Sequence, residues 1–183
     1  MIRSDKNFWA LALALGLVMF VTRVGHFGEY GGPPDASWAV FFLAGLWLRD
    51  ARMFPAFFAL GWGADLAAFS LGTPNLAFSA AYLFLLPAYG ALWAAGQWVA
   101  SRAENRLPRL AAAVLGSAAV AFTVANLGMY LMAPPATSAG LGSFAAQVAG
   151  WFPGYLLTMV TYVSVGLLGA TLWSLRRADL ASR

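Results

Sequence analysis

Cysteine is absent from the 183 residues, histidine occurs once, and charged residues make up only 10% of the chain. The missing cysteines exclude disulfides, thiolate-ligated metals and cysteine nucleophiles, and they leave the redox compartment open. With His26 alone, there is no second histidine to complete a metal site or a catalytic triad. Also missing are the Gly-x-x-x-x-Gly-Lys-Ser/Thr phosphate loop, His-Glu-x-x-His and Gly-x-Ser-x-Gly, so P-loop ATP hydrolysis is excluded and enzyme readings are weak. What is abundant is apolar: 61% hydrophobic residues and a mean hydropathy of +0.71 are more than a soluble domain can solvate. This reads as an integral membrane protein. The net charge of +4 is no nucleic-acid footprint, because the basic residues sit at the ends of apolar runs beside lipid head groups.

Six apolar runs cover residues 8–24, 36–48, 53–71, 76–100, 110–132 and 152–175. Arg3 and Lys6 precede the first; Arg49 and Arg52 separate the second from the third; Arg102, Arg106 and Arg109 separate the fourth from the fifth; Arg176, Arg177 and Arg183 follow the sixth. Only Arg23 breaks this alternation. Because Lys and Arg in short loops stay on the cytoplasmic side, both termini and these two loops are expected inside, giving one all-α transmembrane domain of six helices over residues 1–183. The second run is short enough to suggest a re-entrant segment, but unless it crosses the charge asymmetry collapses, so it is read as a short span. The first run lacks a small-residue cleavage site around Thr22-Arg23-Val24 and is expected to be a retained helix. Gly31 to Pro34, Gly72 to Asn75 and Pro134-Pro135 mark the outer loops. The uncharged linker from Ala133 to Trp151 carries Leu141, Phe144 and Val148, so it is expected to lie in the interface or to fold back as a lid.

Polar side chains inside a bilayer are costly and tend to be functional. In this topology they gather in the outer halves: Asp65 on run three, Asn75, Ser79 and Tyr82 on run four, Asn126 and Tyr130 on run five, Trp151 and Tyr155 at the start of run six, and Arg23, His26, Phe27, Glu29 and Tyr30 after run one. That level is where a cavity open to the outside would lie. Bland readings stand beside the sharp one: Asp65 as a structural partner of Arg23, His26 as a satisfied loop residue, and Tyr82, Tyr130 and Tyr155 as interfacial belt residues. Pro87 inside run four is expected to kink it. In run one, the small-xxx-small spacings Ala10/Ala14 and Ala12/Gly16 permit close helix approach, either within the chain or to a partner.

The stretch from Pro34-Asp35-Ala36-Ser37-Trp38 through Gly45-Leu46-Trp47-Leu48-Arg49, then Phe54-Pro55, then Ala81-Tyr82-Leu83-Phe84-Leu85-Leu86-Pro87-Ala88-Tyr89, resembles the BtuM family. These are small bacterial inner-membrane proteins of the energy-coupling-factor substrate-binding (S-component) type, associated with cobalamin. The resemblance is densest from about Gly25 to Gly96. It implies an outward-facing corrinoid pocket in which His26, Asp65 and Tyr82 look like the family's polar residues. Phe27, Asn75, Tyr130, Trp151, Tyr155 and Trp38 complete its expected walls. Ala10 and Ala14 are similar to the small-residue motif that docks an S-component on its coupling subunit and ATPases, although the chain is equally compatible with acting alone. One departure matters: many members carry a cobalt-ligating cysteine near the start of helix four, where this chain has Ala77 and Ala80. Thiolate-dependent removal of cyanide from the corrinoid is therefore not expected, and His26 is the one imidazole available to the metal. The competing classes are a membrane sensor or scaffold subunit, and an enzyme acting on the corrinoid or a lipid.

Overall fold

The computed structural model describes residues 5–26, 32–71, 79–101, 106–132 and 140–181, and among these the structure is all helical, without a strand. Helix α1 spans Asp5–His26, α2 Ser37–Trp47 and α3 Met53–Ser70; a 3-10 turn over Ala80–Phe84 leads into α4, Leu85–Ala100; α5 is Arg106–Met132, α6 Leu141–Ala149 and α7 Phe152–Ala181. Five segments are long and apolar enough to cross a bilayer: Lys6–Val24, Met53–Ser70, Ala80–Ala100, Arg106–Met132 and Phe152–Leu180. The protein is therefore a multi-pass helical membrane protein by length and composition, its long helices presenting apolar side chains such as Leu13, Leu17, Val165, Leu168 and Leu172 outward.

Several boundaries differ from those read off the sequence, each for a local reason. His26 closes α1 instead of standing in a loop. Helix α5 starts at Arg106 rather than at residue 110, because Pro108 falls in a first turn whose N–H groups have no intrahelical partner to lose. Helix α7 continues to Ala181, since no Gly or Pro follows residue 175 and Leu, Arg and Ala are good helix formers. Pro87 does not kink a helix interior. It sits in the first turn of α4, at the junction with the 3-10 turn, where the missing N–H is harmless. The linker from Ala133 contains a further helix, α6, opened by Gly140 at φ +74°, a left-handed conformation that glycine adopts without strain.

Helices α1 and α3 run parallel, with Gly16 near Leu60 and Arg23 against Asp65, and the short α2 lies between them in the chain; the later long helices alternate in direction. Phe54 meets Trp93 at 5.8 Å and Phe58 meets Tyr82 at 6.0 Å, so α3 and α4 are antiparallel. The Arg109 guanidinium lies 5.8 Å from Trp98, and Gly128 packs on Phe84, which sets α5 against α4 in the same way. Arg177 donates to Asn7 Oδ1 at 3.2 Å, bringing the start of α1 and the end of α7 to one end of the bundle. That end carries Lys6, Arg49, Arg52, Arg106, Arg109, Arg176 and Arg177. In its α2–α3 turn Arg52 bonds Asp50 at 2.8 Å and holds the Asp50 carboxyl below its ordinary range, chiefly through that hydrogen bond.

The core is α2. Its 11 residues rise about 16 Å against a hydrocarbon thickness of about 30 Å. Ser37 and all of 39–45 are buried, with Phe41, Phe42 and Ala44 at 0% exposure, and α1, α3, α4 and α7 touch it on every side. A helix apolar all round is one surrounded by apolar material, and here protein, not lipid, surrounds it. Non-helical backbone at its start is tolerable at membrane depth because its N–H groups are met: the Ala36 N–H donates to Thr22 Oγ1 at 3.1 Å and the Ser37 N–H to Asp35 Oδ1 at 2.9 Å. Two glycines let α2 and α4 cross at backbone contact. A Cβ on Gly45 would strike the Trp93 carbonyl, and one on Gly96 would strike the Phe42 carbonyl. Beside the crossing Phe41 stacks on Tyr89 at 4.4 Å.

Candidate functional site

The end of the bundle opposite the arginines is organised around one cation. Arg23, in the last turn of α1, is 5% exposed. A charge there must be matched or neutralised. Two elements supply carboxylates. Asp65, in the second half of α3, takes the guanidinium side-on, Nε to Oδ1 at 2.6 Å and one terminal nitrogen to Oδ2 at 2.7 Å. Asp35, just before α2, accepts from the other terminal nitrogen at 3.1 Å. That same nitrogen lies 3.0 Å from Ser37 Oγ and 2.8 Å from the Tyr89 hydroxyl of α4. The outer layer of contacts is equally complete. Tyr82 donates to Asp65 Oδ2 at 2.8 Å, Ser37 Oγ donates to Asp35 Oδ1 at 2.6 Å, and Thr22 joins the backbone of α1 to that of Ala36. Among the described residues no buried side-chain nitrogen or oxygen lacks a partner.

Four helices are thus tied at one level by charge-assisted bonds, about twice as strong as neutral ones. The formal balance is one guanidinium against two carboxylates. Both carboxylates are engaged by Arg23 and its neighbours, so the chemistry of the cluster is that of a clasp holding the ends of α1, α2, α3 and α4 together.

Beside the clasp lies an aromatic wall from other elements. Tyr155 of α7 packs on Trp38 of α2 at 5.1 Å and on Phe122 of α5 at 5.8 Å, and Phe122 meets Phe152 at 5.2 Å. Tyr130 of α5 meets Phe144 of α6 at 5.3 Å. Tyr155 and Trp151 are about half exposed, so one side of this wall is open. Tyr162 donates to the Pro34 carbonyl at 2.9 Å, joining α7 to the segment that leads into α2.

The structure brings Asp65 and Tyr82 into contact, sets Tyr155 in one aromatic group with Trp38 and Phe122 and Tyr130 in a separate pair with Phe144, and leaves Trp151 half exposed just before α7. Asn126, half-buried, spends its amide on the Phe122 carbonyl of its own helix at 2.9 Å. Phe27, Asn75 and Ala77 lie outside the described residues, as does the side chain of His26; Ala80, exposed, opens the 3-10 turn. The two small-residue pairs of α1 separate cleanly. Ala12 and Gly16 face α3, where a Cβ on Gly16 would sit 3.1 Å from Leu60 Cδ2, whereas Ala10 and Ala14 are exposed. Sequence reasoning missed Asp35, Ser37, Tyr89 and Thr22 as members of the clasp. The available signal was Arg23 itself: a lone cation on the wrong side of the charge pattern demands anions nearby, and Asp35 and Asp65 are acidic residues of that same side. Compared with known proteins, the chain matches no family model and no curated sequence.

Proposed function

We propose that this chain is a six-pass inner-membrane protein with both termini in the cytoplasm that binds a corrinoid, cobalamin, at its outer end and carries it inward. The observation that carries the reading is the segregation of the bundle. Cations crowd one end, as the positive-inside rule asks of a cytoplasmic face, and the opposite end holds the clasp and a half-open aromatic wall. A corrinoid is large, flat and amphipathic, and aromatic faces with a few polar groups suit such a ligand. The stretches that resemble the BtuM family supply α2 and the 3-10 turn into α4, and these contribute Asp35, Ser37, Tyr82 and Tyr89 to the clasp and Trp38 to the wall. In this reading α2 is the sixth crossing. Tyr155, Trp38, Tyr130 and Trp151 contact the ligand, Asp65 and Tyr82 fix the pocket floor through Arg23, Phe27 and Asn75 are further proposed contacts, and His26 is the one imidazole able to ligate cobalt.

The exposed Ala10/Ala14 stripe is the proposed face for a coupling subunit bearing ATPases; the ligand site would be the same in a chain working alone. The test is the visible absorption spectrum of detergent-purified protein incubated with cobalamin and freed of unbound ligand. About one corrinoid per chain is expected, and a His26→Ala variant should move the bands if imidazole ligates the metal. Replacing Trp38 and Tyr155 by alanine removes two aromatic anchors of the proposed wall, each worth about 2 kcal/mol at a binding hot spot, and should weaken binding tenfold or more. A colourless, folded protein would sink the corrinoid reading and favour a sensor or scaffold subunit.

A further inference from the structure

Along the same two helices that carry Arg23 and Asp65, and running from the clasp toward the arginine-rich end, α1 and α3 enclose an apolar groove of about 440 Å3. Its deepest lining is Ala12 and Gly16 of α1 with Phe57 of α3, all buried, and along α1 the exposed Trp9, Leu13 and Leu17 stand beside the small pair. Leu13 is 72% and Leu17 65% exposed, so the slot is open to whatever surrounds the protein.

Shape and charge identify its occupant. A partner helix about 10 Å across docks on small rims that let backbones approach, and here the small residues are sunk beside large ones. The slot admits a single flexible hydrocarbon chain instead. Trp9 to Phe20 rises about 16 Å along α1, close to the depth of one leaflet of a hydrocarbon core about 30 Å thick. Two cations flank the mouth of the groove at the arginine-rich end. Lys6, exposed, stands seven residues before Leu13 and so on the same face, and Arg52, its side chain 90% exposed, immediately precedes Met53. Asp50 bonds Arg52 and Asp5 precedes Lys6, so the attraction for a phosphate at the mouth lies in the reach of the two exposed cationic side chains and not in a net local charge.

We propose that the groove between α1 and α3 holds one acyl chain of an anionic phospholipid, with its phosphate against Lys6 and Arg52. The inner leaflet is its place if the arginine-rich end is cytoplasmic, which is the one respect in which the inference rests on the orientation above. The bound lipid covers the floor of α1 beside the exposed Ala10/Ala14 stripe and fixes the angle between α1 and α3.

The experiment is native mass spectrometry of the full chain released from detergent, after addition of phosphatidylglycerol or phosphatidylcholine with identical acyl chains. One phosphatidylglycerol per chain is expected to survive conditions that strip phosphatidylcholine. Lys6→Gln should reduce that preference about fivefold while leaving the chain able to bind either lipid. Ala56→Phe, at an exposed position of the groove lining on α3, should abolish both adducts, and Leu17→Trp, on the α1 side, provides a second block should the first variant fold poorly. Equal adducts for the two lipids, adducts unchanged by both blocking variants, or a second copy of the chain in the groove would each overturn the proposal. Cobalamin retention is expected to be unchanged in Ala56→Phe, so a failure of the corrinoid reading and a failure of the lipid site show up in different measurements.

Discussion

Arg23 would be intolerable in a lipid-embedded helix without anions in reach, and its neighbours are arranged accordingly. The Asp65 carboxylate meets it side-on with two short bonds, the geometry that suits a planar guanidinium best, while Asp35, Ser37 and Tyr89 take the remaining terminal nitrogen. Removing one partner of a buried pair is far more damaging than replacing both, because the survivor is left charged and unmatched. Asp65→Ala is therefore expected to destabilise the protein by about 3 kcal/mol, the low end for a broken buried pair because Asp35 remains. Arg23→Met combined with Asp65→Leu should recover much of the loss. Thermal unfolding in detergent, followed by tryptophan fluorescence, reads both. If Asp65→Ala unfolds at the same temperature as the parent, the clasp carries no structural weight. This also bears on any binding assay, since loss of ligand in Asp65→Ala would report a disturbed fold as readily as a lost contact, whereas Tyr155 and Trp151 are exposed enough to be changed without that ambiguity.

Among the elements, α2 and α4 form the tightest pair, and their register depends on two glycines more than on any side chain. An added methyl at Gly96 would meet the Phe42 carbonyl and the Leu46 amide, backbone atoms that cannot swing aside. Gly96→Ala should therefore cost about 1 to 3 kcal/mol, the range for overpacking a filled interior. Gly63, in the middle of α3, has nothing within 4 Å of its added Cβ, and Gly63→Ala should stabilise by about 0.5 to 1 kcal/mol through the helix preference of alanine. The pair of substitutions, compared by unfolding midpoint, separates a packing role from a general dislike of change; both moving the same way would remove the argument. The sequence exposes this unevenly. Small residues are visible on α1, where spacing announces a packing face, but the closest backbone approaches are those of Gly45 to Trp93 and of Gly96 to Phe42. Nothing in the local pattern of either helix names the other as partner. Helix α6 was visible only as excess apolar content in a loop, because a helix of 9 residues carries too few turns to establish a period.

Across the whole molecule, the features easiest to read in the sequence were those set by the bilayer. Apolar length, the scarcity of charge and the grouping of arginines gave helices close to those observed, and the contact of Arg177 with Asn7 puts the start of α1 and the last turns of α7 at one end of the bundle. What distinguishes a clasp from an open pocket was not legible. Asp65 and Tyr82 could be placed at one level by counting along helices, but whether they point at a ligand or at Arg23 depends on helix rotation. Periodicity defines rotation poorly when a helix is apolar on nearly every side, as α2 is. The remaining question at this scale is which face meets the cytoplasm, and the absence of cysteine makes it directly accessible. Ser70 ends α3 at the clasp end, Ser101 follows α4 at the arginine end, and both are exposed. A membrane-impermeant maleimide applied to intact cells with the outer envelope opened should label Ser70→Cys and spare Ser101→Cys, with the second labelled only after the inner membrane is breached. Labelling of both before breach would mean that the segment Ala80–Ala100, which lies between the two positions, does not separate them across the membrane. Labelling of Ser101→Cys alone would invert the protein and place the aromatic wall inside, and a site there could receive ligand only from the cytoplasm.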